Sequence, residues 1–485
     1  MKILVTGTTG YVGSKLVPKL VEAGHEVVCM VRNPSPTGEY ALDGPRLVQA
    51  DALDEASLLP ALAGMDVAYY LIHSLAGEKA GFAERDRQAA YNFATAAKRV
   101  GVRRIIYLGG LTSQTSRVSL HLKSRQETGA VLREFGPPVT EFRAGIIVGN
   151  GSVSFEMIRY LTERLPVMIC PRWVMTRTQP IAIGNVIEYL VATLDVPEST
   201  GEIIEIGGAT VETYRSMMLT YACTRGLRRW LIRVPVLTPR LSSYWLNLVT
   251  PIAASIARPL IEGLRTEVVC TTPSAKELFP RICPISYRAA IEAAAERPVP
   301  DESFQRMIPE NTEHICLRRE GLICDAGQTA VHAPAEQVFA VLQKLGGERG
   351  WLYANVLWQL RGWIDGLLGG VGMRRCRSRE GQLKAGDSVD FWRVEEVSRL
   401  KSLLLRAEMK LPGRAWLQFL LTPSTARETR LRCRAWFEPR GVAGELYWWL
   451  LYPIHRLIFR GMLIAIQSQA EKSFSLAASS AVQRN

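Results

Sequence analysis

The stretch "KILVTGTTGYVGSKLVPKLVEAGHEVVCMVR" (residues 2–32) decides how the first part of this chain folds. Residues 2–6 form a short β-rich run, and residues 14–23 place apolar side chains at helical spacing before Gly24 ends the helix. Between them stand Gly7, Gly10 and Gly13. In a strand–turn–helix the three glycines do different things. Gly7 permits the tight turn, Gly10 lets backbone approach a pyrophosphate, and Gly13 lets helix and strand pack closely. Thr9, Tyr11 and Val12 complete the turn and lead into a helix N-terminus, whose unpaired N–H groups favour an anion. The glycine spacing alone is weak evidence; its place between a strand and a helix makes it a dinucleotide turn.

The second strand ends "VVCMVRNPS". A chain selecting NAD usually carries an acidic residue there for the ribose 2′-hydroxyl, whereas a guanidinium suits a 2′-phosphate. Arg32 therefore favours NADP(H) over NAD(H), the alternative being a solvated surface arginine. The third strand, "RLVQADALD", leads to Asp51 and Ala52, and the fourth, "DVAYYLIHS", ends at Leu71, Ile72 and His73.

At 485 residues the chain is too long for one core and predicts two or three domains. Hydrophobic residues make up 47% and charged residues 22%, a globular balance. The nine cysteines are scattered with no C-x-x-C pair, which argues against a disulfide framework and a zinc site and fits a reducing cytoplasm. The opening residues run straight into a strand, predicting no cleaved signal sequence. Residues 1–207 hold 21 basic and 21 acidic side chains, against 38 and 25 in 208–485, so the whole excess of +13 lies in the second part. That excess suits an acidic partner, but no nucleic-acid reader motif accompanies it.

These motifs together resemble an atypical extended short-chain dehydrogenase/reductase, closest in pattern to NmrA-like proteins and to the Rossmann-type subunit of respiratory complex I. The resemblance implies an α/β doubly wound parallel sheet over residues 1–310, with 151–175 and 208–300 on the substrate side. It is carried further by "FAERDRQAAYNFATAAKRVGVRRIIYLGG", with Asn92 on its helix, by "VTEFRAGIIVGNG", and by "RTQPIAIGNVIEYLV", in which Gly184 and Asn185 replace a polar–acidic pair. In the family, Asp51 and Ala52 would meet the adenine, and Leu71, Ile72 and His73 would line the ribose and nicotinamide.

The usual catalytic set is missing. The serine position at the end of the fifth strand holds Gly109 and Gly110, and the Tyr-x-x-x-Lys pair is replaced by His121 and Arg125. The i, i+4 spacing still puts both side chains on one helix face. Arg125 is the candidate ribose or phosphate contact, and His121 the candidate proton donor, since an imidazole exchanges protons near neutral pH. The opposing reading is a scaffold that binds NADPH without hydride transfer.

Residues 293–313 are Pro-rich and polar and read as a linker. From 316 to 485 the pattern changes to strand, short helix, successive antiparallel strands and a long closing helix. That order resembles the α+β helix-grip fold of START and polyketide-cyclase-like proteins, which implies an apolar cavity. Trp358, Trp363, Trp392, Trp416, Trp436, Trp448 and Trp449 are candidates for its lining. Segments 244–264 and 446–466 are apolar but interrupted by proline and arginine, and neither is read as spanning a membrane. The second reads first as a buried amphipathic helix packed on its own domain, the alternative being, with the basic run 374–379, peripheral contact with an anionic membrane. Arg225, Arg228 and Arg229 are candidates for an acidic headgroup. Three readings follow: an NADP(H)-dependent oxidoreductase of a hydrophobic quinone-, isoprenoid- or lipid-like substrate, a non-catalytic NADP(H)-binding sensor or assembly factor, and a lipid carrier. The oligomeric state is not legible.

Overall fold

Strand β1 (Lys2–Val5) buries Ile3, Leu4 and Val5 completely, because a parallel strand covered on both faces has no solvent side. Alternate residues serve opposite faces: Ile3 and Val5 join Leu16, Leu20 and Phe142, while Leu4 joins Val28, Tyr70 and Phe93. The computed structural model describes residues 1–33, 45–72, 82–112, 120–234, 263, 266–295, 313–319, 321–347, 350–372 and 382–482. The chain divides into two units, Met1–Arg297 and Pro298–Asn485. The 374–379 run, most of 244–264 and most of the 293–313 segment lie outside the described residues.

In the first unit β1 is followed by α1 (Gly13–Glu22), β2 (Glu26–Val31), β3 (Arg46–Gln49), α2 (Glu55–Leu62), β4 (Val67–Tyr70) and α3 (Phe82–Arg99). Then come β5 (Arg104–Gly110), α4 (Leu120–Phe135), β6 (Val139–Ala144), α5 (Val153–Arg164), α6 (Ile183–Ala192) and β7 (Ile203–Ile206). The sheet order is β3-β2-β1-β4-β5-β6-β7, with every neighbouring pair parallel. This is the Rossmann-type doubly wound sheet that the sequence predicts. The order reverses between β1 and β4, and the crevice beyond the strand ends at such a switch point is where ligands bind.

Two buried polar clusters tie β5 and β6 to the segments packed beside them. Arg104, 8% exposed at the start of β5, donates to Thr140 Oγ1 from Nε (2.8 Å), to Thr193 O (2.8 Å) and to Ser199 Oγ (2.6 Å). Glu141, 1% exposed on β6, pairs with Arg143 at 2.7 Å and with Arg133 of α4. Gly129 lets α4 pack close over this carboxylate, since a Cβ there would lie 2.6 Å from Glu141 Oε2. Arg225 and Arg229 are corrections to the sequence reading. Arg225 pairs with Glu163 at 3.0 Å, and Arg229 donates to the Thr162 and Glu163 carbonyls in the last turn of α5, so both serve that helix end.

The second unit comprises β8 (His314–Arg319), β9 (Leu322–Val331), α7 (Ala335–Leu342), α8 (Asn355–Leu367), β10 (Ser388–Val389), β11 (Trp392–Ser398), β12 (Ser402–Ala407), β13 (Gly413–Thr425), β14 (Glu428–Pro439) and α9 (Gly441–Val482). The strands form one antiparallel sheet in the order β8-β9-β14-β13-β12-β11-β10. Helix α9 buries Ile458, Met462, Leu463, Ile466 and Ala470. Its polar ties run to the sheet: Arg318 pairs with Glu445, Thr329 Oγ1 donates to Gln467 (2.9 Å) and His332 N donates to Glu471 (2.9 Å). Residues Gly441–Leu476 are long and apolar enough to cross a membrane by length and composition. The buried stripe instead packs on the sheet, leaving Leu446, Leu450 and Leu457 exposed on the other side.

Candidate functional site

The turn after β1 has the backbone that its glycines predict. Gly7 adopts a left-handed φ of +63°, and a Cβ there would lie 2.6 Å from Leu71 O at the end of β4. Gly10 N donates to Gly7 O at 2.9 Å and closes the turn. A Cβ at Gly13 would collide with the Gly7 carbonyl oxygen, so the first turn of α1 sits directly on the loop. Thr9 and Gly10 are exposed and Tyr11 and Val12 half-buried. Helix α1 has no side-chain cap at Val12 and no acidic residue in its first turn, which leaves its positive end facing the crevice. Thr6 is a residue that sequence reasoning passed over: its Oγ1 donates to Tyr69 O (3.1 Å) and accepts from Leu71 N (2.9 Å), locking the ends of β1 and β4 together.

Around this turn lie the other candidates. Arg32 is exposed just beyond β2, and its carbonyl accepts from Gln49 Nε2 at 3.0 Å. Asp51 Oδ1 accepts from Leu53 N at 3.0 Å, and the buried Asn92 donates to Ala52 O at 3.1 Å, fixing the loop that carries both. Leu71 and Ile72 are half-buried after β4, whereas His73 lies outside the described residues.

At the end of β5, Gly109 and Gly110 are buried. The lack of a side chain at Gly110 lets α4 close on the strand, since a Cβ would meet Leu122 Cδ2 at 3.0 Å and Arg125 Cδ at 3.4 Å. Arg125 Nη2 donates to Leu108 O (2.7 Å), and Tyr107 Oη donates to Arg125 O (2.9 Å). In this structure the guanidinium read from the sequence as a ribose or phosphate contact thus ties α4 to β5. His121 is one turn earlier on α4, and its side chain lies outside the described residues. Farther along, Asn185 is buried, accepting from Ile285 N (3.0 Å) and donating to Glu188 (2.8 Å).

The second unit contains a cleft of about 980 Å³, open mouth included, between the sheet, α8 and α9. Trp358, Trp392, Trp416, Trp436 and Trp448 line it. Trp363 and Trp449 do not: they are 64% and 49% exposed and point away, one helix position from residues that face in. On α9, Trp448, His455 and Phe459 follow one another along the inner face, with the His455 ring 5.4 Å from Trp448 and 5.8 Å from Phe459. Sequence reasoning passed over His455, although its spacing of seven from Trp448 puts both on one helix face.

Burial, with the Arg361 guanidinium beside it, holds the His455 imidazole down to about 4. Its folded pKa is thus below the unfolded value of about 6.5, so the unfolded chain binds more protons as pH falls through this window. The stabilisation is complete above pH 6.5 and is lost on acidification toward pH 4, by about 2–3 kcal/mol. Urea unfolding of the second unit across that range should show this slope, and His455→Phe should flatten it; an unchanged slope in the variant would assign the pH dependence elsewhere. Among the described residues no group of His, Cys, Asp or Glu is arranged to hold a metal ion.

Residues 7–136 match a family model described as NAD(P)H-binding, and residues 320–462 match one described as a protein of unknown function, DUF2867. The chain is 26% identical over 243 residues to the photosystem II assembly factor Ycf39 of Cyanophora paradoxa, spanning 49% of this chain and 72% of that protein. It is 32% identical over 145 residues to quinone oxidoreductase 2 of Escherichia coli K12, spanning 30% of this chain and about half, 48%, of that protein. The solved triphenylmethane reductase of Citrobacter sp. is 16% identical, with a TM-score of 0.50, and matches 61% of this chain and 100% of its own; it shares the fold.

Proposed function

Since the first unit is an NAD(P)-binding Rossmann unit of the NmrA-like type, we propose that this chain is an NADP(H)-dependent oxidoreductase of a hydrophobic, quinone-, isoprenoid- or lipid-like molecule. The observation that carries the reading is the turn at the switch point, where Gly7, Gly10 and Gly13 leave backbone, and no side chain, facing the uncapped end of α1. Around a dinucleotide seated there, Thr9, Tyr11 and Val12 would border the pyrophosphate, Asp51 and Ala52 the adenine, and Leu71, Ile72, His73, Gly109 and Gly110 the ribose and nicotinamide. Arg32, exposed beyond β2, favours the 2′-phosphate of NADP(H).

The cofactor supplies the hydride, and the chain supplies position and a proton. Gly109 and Gly110 present a bare strand end to the nicotinamide side, and Arg125 braces that end from α4. His121 is the proton donor of this reading, on the helix that carries the family tyrosine. Residues 151–175 and 208–300 form the substrate side. The appended unit, which resembles a helix-grip domain, holds the hydrophobic molecule, and the exposed Leu446, Leu450 and Leu457 beside Arg456 and Arg460 suit peripheral contact with an anionic membrane from the cytoplasm.

A second reading, an NADP(H)-binding assembly factor without turnover, is favoured by the likeness to Ycf39 and by the engagement of Arg125 with Leu108 O. Equilibrium binding and turnover separate the two. NADPH should bind at least about tenfold more tightly than NADH, and Arg32→Ser should bring the two within about twofold by weakening NADPH alone. NADPH should then be oxidised in the presence of a naphthoquinone, and His121→Ala should slow this by about 10²-fold. Tight NADPH binding without oxidation, for a panel of quinones and isoprenoid ketones, establishes the assembly-factor reading instead.

A further inference from the structure

Native structures leave few buried polar groups without a hydrogen-bond partner, and several on residues that line one apolar space call for an explanation. Five residues lining the second unit's cleft carry such groups. Trp358, Trp392 and Trp448 are 7%, 4% and 3% exposed, and their indole Nε1 atoms are buried with no hydrogen-bond partner among the described residues. The same holds for His455 Nδ1 and for Nε of Arg361, whose Nη1 stands 3.8 Å from Asp365 Oδ1, beyond hydrogen-bond reach. Each unpaired group of this kind costs about 1–3 kcal/mol of desolvation, which an acceptor would recover for the indole and guanidinium N–H groups and for His455 in its Nδ1–H tautomer. The rest of the lining is apolar or aromatic, and Phe437 and Trp448 are stacked there with centroids 5.4 Å apart and planes 13° from parallel.

We infer that this cleft binds an apolar, ring-bearing molecule whose uncharged carbonyl oxygen accepts hydrogen bonds from His455, Trp448 and Arg361. The charge of the ligand follows from the neighbours. The Arg361 guanidinium stands 3.8 Å from Asp365, whose carboxylate is 0% exposed and held by the backbone N–H groups of Lys410 (2.6 Å) and Gly372 (2.9 Å). Its charge is therefore already countered, and the imidazole of His455 stays neutral at physiological pH because burial disfavours its cation. An anionic headgroup would enter an apolar space with no net positive charge to receive it, at a cost that a carbonyl escapes. The ring system has aromatic faces to stack against, with preferred centroid separations of about 4.5–7 Å. Without its open mouth the cleft has a cavity volume of about 200 Å³, which takes a molecule of about two fused rings.

The inference deepens the proposed substrate class but does not need hydride transfer, because every group it uses lies in the second unit. Binding is therefore measured on the full chain without cofactor, by equilibrium dialysis and by quenching of tryptophan fluorescence. The probes are 2-methyl-1,4-naphthoquinone, the oxygen-free 2-methylnaphthalene, and palmitate. The quinone should bind saturably and at least about tenfold more tightly than either of the others, the discrimination expected when buried donors are left unpaired. His455→Phe keeps a ring of similar shape; it should remove most of that preference while leaving the affinity for 2-methylnaphthalene within about twofold. Equal affinity for quinone and hydrocarbon, tightest binding of palmitate, or no saturable binding of any probe overturns the inference. These comparisons on the unaltered protein decide the matter even if the variant fails to fold. Loss of NADPH oxidation with quinone binding intact would count against the hydride reading alone.

Discussion

Gly13→Ala is expected to abolish NAD(P)H binding and to destabilise the first unit by about 3 kcal/mol. The added methyl would overlap the Gly7 carbonyl oxygen and lie 2.9 Å from both Gly7 C and Thr8 Cα. All three are backbone atoms of a turn already pinned by Gly10 N on Gly7 O and by Thr6 between β1 and β4, so no flexible side chain can swing aside. The helix must retreat from the strand, and with it the N–H groups that would hold a pyrophosphate. Gly10→Ala is the informative contrast. Its Cβ would approach Gly7 O only to 3.0 Å and sits at an exposed position, so the fold should lose less than about 1 kcal/mol while cofactor affinity falls at least about tenfold. Urea unfolding together with NADPH titration measures both. Undiminished affinity in Gly10→Ala would show that no dinucleotide approaches this turn.

Glu141→Leu should cost the first unit about 3–5 kcal/mol, the range for breaking a buried ion pair from one side. Glu141 is 1% exposed and answers two guanidiniums, Arg133 on α4 and Arg143 on its own strand. Burial already disfavours both cations and, for Arg133, the charge of Arg143 adds to it. Without the carboxylate the two arginines repel one another next to the sheet, and α4 loses the group it approaches at Gly129. Adding Arg143→Met to Glu141→Leu should recover part of the loss, because the pair shares one partner and its effects are not additive. Chemical denaturation of the single and double variants is the measurement, and additive losses would show that the arginines do not depend on this carboxylate.

The order strand, glycine turn, helix, strand was legible because each piece rests on local signals: a β-rich run, three spaced glycines, a helical apolar face and Gly24 as its stop. The change to antiparallel strands after residue 316 was legible for the same reason. What was not legible depends on approach through space. Arg125 reads as a replacement for a catalytic lysine, yet its bond to Leu108 O arises because Gly110 lets α4 come down onto β5. Arg229 reads as a surface cation, yet it terminates α5 from more than sixty residues away. In the second unit, treating all seven tryptophans alike ignored the helical turn of about 100° between neighbours, which sends Trp448 inward and Trp449 outward. His455 was hidden because it read, with Pro453 and Arg456, only as an interruption of an apolar run, although the helix itself was expected to pack on its own domain.

The ties along α9 also set a ruler. From Glu445, paired with Arg318, to Glu471, bonded to His332, the helix rises about 40 Å at 1.5 Å per residue. Both ties end on the β8–β9 hairpin, where Arg318 lies opposite Ile323 and His332 follows β9, so the hairpin meets the helix at two fixed places. Helix and sheet are thus gauged to one another along this span. One residue inserted between Glu445 and Glu471 would turn everything downstream by about 100° and carry Gln467 and Glu471 off their partners together. Length, not only composition, is therefore under constraint in this helix, and the turns beyond Glu471 are where the chain can be lengthened or trimmed without disturbing that gauge.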